Sequence, residues 1–124
     1  MPARRAPDDS QHRLGALAQI LLNLATNALY ALRDGGGELA VEWGSDVGRG
    51  DIFVLRVADT GCGMDEETRL KLFNSFFTTK GEEGTGLGMS VVQGLVQAMR
   101  GSVEVESEPG KGSIFTLRFP MVER

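Results

Sequence analysis

The densest chemistry in this chain lies in twelve residues, Lys80-Gly-Glu-Glu-Gly84-Thr85-Gly86-Leu87-Gly88-Met-Ser-Val91. Gly84, Gly86 and Gly88 alternate, so a backbone there can approach a ligand closely with its N–H groups exposed, and the apolar run that follows has the pattern of a helix. Such a loop cradles anions. Phe76, Phe77, Thr78, Thr79 and Lys80 stand just ahead of it, which places a cation and two hydroxyls beside the same spot. We read the stretch as the triphosphate side of a nucleotide pocket. A flexible loop before a helix also uses small residues, so other parts of the chain must decide. The spacing is neither a G-x-x-x-x-G-K-[ST] loop nor a G-x-G-x-x-G between a strand and a helix.

Two further sets of residues could do chemistry. Asn23 and Asn27 sit four apart on an otherwise apolar stretch, hence on one helix face, roughly opposite the centre of its apolar stripe. Their amide oxygens would suit a hard cation such as Mg²⁺, which takes few protein ligands plus phosphates and waters. The plainer alternative is that they face solvent or cap a loop, because an unsatisfied buried amide costs about 1–3 kcal/mol. Asp59 closes the alternation Phe53, Leu55, Val57, and that phase turns its carboxylate inward; Thr60-Gly61-Cys62-Gly63-Met64 follows, with two glycines that allow a sharp loop. An aspartate before glycine commonly bonds its own backbone. The inward phase favours instead a buried acceptor for a donor such as the exocyclic amine of adenine. Cys62 has no basic or histidine neighbour in sequence and reads as a small loop residue rather than a reactive thiol.

The elements that must position these groups follow from periodicity. Residues 1–9 read as a tail and 10–124 as one domain, since 124 residues suffice for one core but not two. Asp8, Asp9 and Ser10 offer N-caps to a helix predicted over Ser10–Arg33, with Leu14, Leu17, Leu21, Ala25, Ala28 and Leu32 as its buried stripe and Gly35-Gly36-Gly37 as its stop. Strands are predicted over Glu38–Gly44 and Ile52–Ala58 with a turn at Ser45–Asp51, then a short helix over Glu66–Phe73 capped by Asp65. A third helix buries Met89, Val92, Leu95, Val96 and Met99 and ends at Gly101. The chain closes as a hairpin in which Val103, Val105 and Ser107 alternate with Glu104 and Glu106, the turn is Glu108–Gly112, and Ser113, Phe115, Leu117 and Phe119 point one way. The expected fold is α+β, a two-layer sandwich of a mixed, mostly antiparallel sheet with about three helices on one face.

Composition narrows the function classes. Hydrophobic residues make up 41% and charged residues 24%, an ordinary soluble globular balance, and a formal charge of -4 argues against a nucleic-acid footprint. A single cysteine excludes an internal disulfide, and the expectation is a cytoplasmic domain without a membrane span or direct membrane contact.

Four separated motifs line up in an order that resembles the catalytic, ATP-binding domain of a sensor histidine kinase, within the Bergerat-fold (GHKL) superfamily shared with DNA gyrase, the MutL repair proteins and the heat-shock chaperone ATPases. Asn23-Leu-Ala-Thr-Asn27-Ala28 matches the N box and Asp59-Thr-Gly61-Cys-Gly63-Met the G1 box. Leu72-Phe73-Asn-Ser-Phe76-Phe77-Thr78-Thr79-Lys80 matches the F box, Gly84-Thr85-Gly86-Leu87-Gly88 the G2 box, and Gly112-Ser113-Ile-Phe115 the family's G-[ST]-x-F strand. The match spans about Arg13 to Pro120. It implies that Asp59 accepts the adenine amino group, aided by Gly61, Gly63 and a water near Ser113. It implies further that Asn27, with Asn23, holds Mg²⁺ against the phosphates. Lys80 and the backbone of Gly86, Leu87 and Gly88 would contact the β- and γ-phosphates, and the segment between Phe76 and Gly84, which includes Thr79, would form the lid over ATP; Thr85 completes that loop.

The same resemblance bears on the reaction. Hydrolases of the superfamily carry a water-activating glutamate at the first N-box position, where this chain has Asn23, and an amide takes no proton at neutral pH. Slow hydrolysis is expected. Histidine kinases instead pass the γ-phosphate of ATP, leaving ADP, to a histidine on a separate dimerisation domain, from which a response regulator is served. His12, the only histidine, is followed by Arg13 rather than an acidic residue and reads as a solvated helix-start residue. The acceptor domain is expected elsewhere, in a parent protein that could be membrane-anchored. The alternatives are an ATPase or anti-sigma-like serine kinase of the same fold, or a nucleotide-binding docking module; Lys80 and the intact glycine run count against the last.

Overall fold

The computed structural model describes residues 9–46, 49–73 and 88–120. Three helices, α1 (Asp9–Ala31), α2 (Glu66–Lys71) and α3 (Gly88–Ala98), accompany four strands, β1 (Leu39–Asp46), β2 (Arg49–Asp59), β3 (Ser102–Glu108) and β4 (Gly112–Pro120). The sheet order is β1-β2-β4-β3, and every pairing among the described strands is antiparallel, so the expected mixed sheet is corrected to an antiparallel one. Consecutive hairpins explain this: β1 with β2 and β3 with β4 are sequence neighbours joined by short turns, and short turns build antiparallel pairs. The first turn is tighter than its polar residues suggest. Pairing continues to Asp46 opposite Arg49, with a register shift after Ser45.

Alternation along the strands sets two faces. Rows of facing residues run across the inner side, one through Val41, Val57, Phe115 and Val105 and the next through Trp43, Leu55, Leu117 and Val103. Leu55, Val57, Phe115, Leu117 and Phe119 are buried there against Ile20 and Leu24 of α1 and Met89, Val92 and Val96 of α3. Each such side chain contributes about 1.5–3 kcal/mol by leaving water. The outer face is polar, with Arg56 near Glu42 at 3.9 Å and Arg118 near Glu104 at 3.2 Å. Exposed pairs of this kind add little to stability.

The phase of α1 differs from expectation. Its buried stripe is Ile20, Leu24 and Ala28, with Leu17 and Leu21 partly buried, whereas Leu14 is 65% exposed. Leucines occur on nearly every face of this helix, so spacing alone does not choose between stripes. The corrected phase also moves Asn23 and Asn27, which lie on the flank of the buried stripe and not opposite it. Over Leu14–Ala31 the helix is long and apolar enough to cross a membrane by length and composition, contrary to the expectation that no segment qualifies. Its buried stripe is packed on the sheet, as in a core helix.

Helix ends follow capping rules with one substitution of roles. The Oδ1 of Asp65 accepts the Thr68 N–H at 2.8 Å, the expected N-cap of α2, and α2 stops at Lys71, short of the Phe73 end expected. At the end of α3 the Arg100 N–H donates to Gln97 O and the Gly101 N–H to Val96 O, both at 2.9 Å, a Schellman closure. The left-handed residue in it is Arg100, at φ 64°, and not the glycine that marks the stop in sequence.

Candidate functional site

Helix α1 carries the polar groups of the site at one-turn intervals. Asn23 comes first. Its Nδ2 donates to the Gly88 carbonyl at 3.0 Å, and its Oδ1 accepts from Gln19 Nε2 at 2.8 Å. This bond holds the start of α3 on α1 through a carbonyl. No acidic residue stands in the first turn of α3 to neutralise that positive end. Asn27 is half-buried one turn on. A further turn along, the Ala31 carbonyl at the helix end accepts the Cys62 N–H at 3.2 Å. From Asn23 to Ala31 is about 12 Å of helix.

At the Ala31 end lies Asp59, the last residue of β2, 6% exposed as its phase required. Its Oδ1 accepts the Gly61 N–H at 2.8 Å, the local bond expected of an aspartate before glycine, so the carboxylate braces its own loop with one oxygen. Burial pushes the Asp59 carboxyl above the usual range, and the Gly61 N–H pulls it partly back. Ser113 sits directly opposite in the β2–β4 ladder and is also buried. Side chains at facing positions have Cβ atoms about 4.5–5.5 Å apart, so hydroxyl and carboxylate are neighbours on one face of the sheet.

The loop after Asp59 is fixed by contacts only glycines permit. A Cβ on Gly61 would overlap the Ala31 backbone, and one on Gly63 would overlap the Glu108 carbonyl; Gly63 also has φ 69°. Around them, the Gly110 N–H donates to Cys62 O at 2.7 Å, Met64 N–H to Ser107 Oγ at 2.8 Å, and Thr60 N–H to Glu38 O at 3.1 Å. Thr60 Oγ1 in turn accepts the Glu38 N–H at 2.9 Å. The loop is thereby clamped between the end of α1 and the β3–β4 turn.

The structure thus brings together Asn23, Asn27, Asp59, Gly61, Gly63, Gly88 and Ser113. Phe76, Thr79, Lys80, Gly84, Thr85, Gly86 and Leu87 lie outside the described residues. Gln19 and Ser107 join the site although no motif points to them. Ser107 carries only a face assignment in sequence, and its partners Met64 and Ser113 are 43 and 6 positions away. Among the described residues no group of three or more His, Cys, Asp or Glu could hold a metal. A hollow of about 450 Å³ lined by Arg69, Phe73, Val103 and Glu104 lies between α2 and β3 and contains none of the site residues.

Comparison with known proteins shows the family. Residues 13–123 match the family model described as histidine kinase-, DNA gyrase B- and HSP90-like ATPase. The chain is 43% identical over 106 residues to the sensor histidine kinase ZraS of Klebsiella oxytoca, covering 85% of this chain and 22% of that protein. It is 39% identical over 106 residues to the signal transduction histidine-protein kinase AtoS of Escherichia coli K12, covering 85% and 17%. Among solved structures, full-length ShkA in complex with AMPPNP superposes with a TM-score of 0.70 at 36% identity, over 89% of this chain and 23% of that one. The catalytic domain of histidine kinase ThkA gives 0.72 at 28% identity, over 86% and 67%. The chain therefore spans about a fifth of the length of the curated relatives it matches.

Proposed function

Since the chain belongs to the histidine kinase-, DNA gyrase B- and HSP90-like ATPase family and is a catalytic domain of the sensor-histidine-kinase type, we propose that it binds Mg-ATP and donates the γ-phosphate to a histidine on a separate dimerisation domain, from which a response regulator is served. The observation that carries this reading is Asp59: a buried carboxylate with one oxygen spent on Gly61 and the other unspent, beside a clamped glycine loop. A buried carboxylate demands a donor, and the adenine amine supplies one.

The other roles follow along α1. Asn27 would rest its amide oxygen on Mg²⁺, with the phosphates and water completing the shell, a donor set that suits this ion better than a carboxylate cluster. Asn23, joined to Gly88, would hold the start of α3 toward the phosphates, where the positive helix end favours negative charge. Lys80 and the Gly84–Leu87 segment would neutralise the β- and γ-phosphates from above, with Phe76 and Thr79 in the lid.

Phosphoryl transfer requires positioning and charge neutralisation more than covalent chemistry from the protein. Water activation needs a base, and Asn23, an amide tied to Gln19 and Gly88, supplies none. Transfer to a histidine whose own domain brings the base is the chemistry left. A cytoplasmic location, where ATP is abundant, goes with this reading.

The test mixes this domain with γ-labelled ATP and an acceptor-helix dimerisation domain from a sensor histidine kinase. Acid-labile phosphate on the acceptor, dependent on Mg²⁺ and absent with a histidine-less acceptor, is the expected result. Steady ATP hydrolysis without transfer, or phosphate on serine, would refute it.

A further inference from the structure

Ser107 has a role beyond the nucleotide contacts proposed above. Its hydroxyl meets three polar groups: Met64 N–H at 2.8 Å, Gly112 O at 3.0 Å and Ser113 Oγ at 2.9 Å. A serine hydroxyl has one hydrogen and two lone pairs. The Met64 N–H takes one lone pair, and Gly112 O, which can only accept, takes the hydrogen. The contact with Ser113 is then satisfied in one way, with Ser113 donating its hydrogen to the remaining lone pair.

That assignment decides what Ser113 shows to a ligand beside Asp59. With its hydrogen committed to Ser107, Ser113 offers lone pairs only, and Asp59 directly across the ladder offers a carboxylate oxygen. The base end of the site is therefore an acceptor pair. It matches an exocyclic amine, met directly or through a water that donates to both, and it opposes a carbonyl at the same position of the ring.

We propose that Ser107 is a positioning residue that orients the Ser113 hydroxyl and thereby makes the pocket select a 6-amino purine over a 6-oxo purine. The inference rests on the nucleotide reading above and deepens it. Ser107 touches no nucleotide; it acts through Ser113, and through Met64 it also ties the Asp59 loop to β3.

The experiment compares ADP with inosine diphosphate, which carries an oxygen in place of the adenine amine, by calorimetry on the whole domain. The wild type should prefer ADP strongly. Ser107→Ala should lower ADP affinity by roughly three- to tenfold, the worth of one neutral hydrogen bond. It should also narrow the ADP-to-IDP ratio, because a released Ser113 hydroxyl can turn and donate to a carbonyl. Ser107→Thr should restore both. In a Ser113→Ala background, Ser107→Ala should leave the ratio where it is. If Ser107→Ala does not fold, Ser107→Cys, with its weak S–H donor, takes its place.

Equal losses for ADP and IDP, or no change in either, would overturn the assignment while leaving the nucleotide reading intact. A wild-type domain that binds neither diphosphate would overturn both.

Discussion

Asp59→Asn separates a binding role from a folding role, because the two predict opposite signs. The amide oxygen of asparagine can still accept the Gly61 N–H, so the loop brace at 2.8 Å has a replacement. The other terminus becomes an NH₂ and faces the adenine amine donor to donor. One charge-assisted hydrogen bond of about 1.5–3 kcal/mol is lost, which at about 1.4 kcal/mol per decade lowers ADP affinity roughly tenfold to a hundredfold. The unliganded domain gains in the same exchange, since a carboxylate at 6% exposure is costly to keep charged. Titration calorimetry with ADP and thermal unfolding without it read the two effects separately. The expected pair is weaker binding with an equal or higher Tm. A lower Tm with unchanged ADP affinity would make Asp59 a structural residue and refute the reasoning.

The same carboxylate gives a pH signature. Burial, only partly offset by the Gly61 N–H, raises the folded-state pKa of Asp59 above the ordinary value of 3.8. Between those two values the folded state holds more protons than the unfolded one, so Asp59 makes stability fall as pH climbs through the window. Above the window the cost stays constant. An amine donor favours the charged form, so ADP binding releases a proton there and affinity rises with pH over the same interval. Asp59→Asn should flatten both slopes.

Five other substitutions test the scaffold and the metal position. Gly63→Ala should destabilise the domain by roughly 2–5 kcal/mol, adding the left-handed penalty to the overlap with Glu108, while Gly36→Ala, at the same φ of 69° with open space around it, should cost only about 1–2 kcal/mol. Urea unfolding of the pair isolates the contact, and equal losses would show that the loop does not press on the hairpin turn. Leu24→Ala should cost about 2–5 kcal/mol and Leu14→Ala within about 0.5 kcal/mol, by the same measurement, if the corrected stripe of α1 is right. Asn27→Ala should weaken ATP binding chiefly when Mg²⁺ is present; an equal loss in excess chelator would make Asn27 structural.

What is legible in the sequence depends on how unambiguous each period is. In β2 and β4, strict alternation has only two phases, and Phe53-Leu55-Val57 leaves one choice for Asp59. In α1 the apolar residues nearly encircle the helix, and the stripe that tertiary packing selects, through Ile20 and Leu24, is one of several that composition allows. The helix stop at Gly101 is legible as a position but not as a conformation, since Arg100 takes the positive φ. Ser107 is not legible as a site residue. Its significance lies in bonds made across the β3–β4 turn and to a loop 43 residues earlier, which no local pattern encodes.

The site's two ends are coupled through α1 rather than through each other. The end proposed for the base is anchored where Ala31 O holds the Cys62 N–H, and the end proposed for the phosphates where Asn23 holds Gly88. Helix geometry keeps these anchors about 12 Å apart. The Asp59 loop takes its hydrogen bonds from α1, Glu38 and the β3–β4 hairpin. In the function proposed, such a division would let the domain keep hold of its nucleotide while a separate acceptor domain docks and departs.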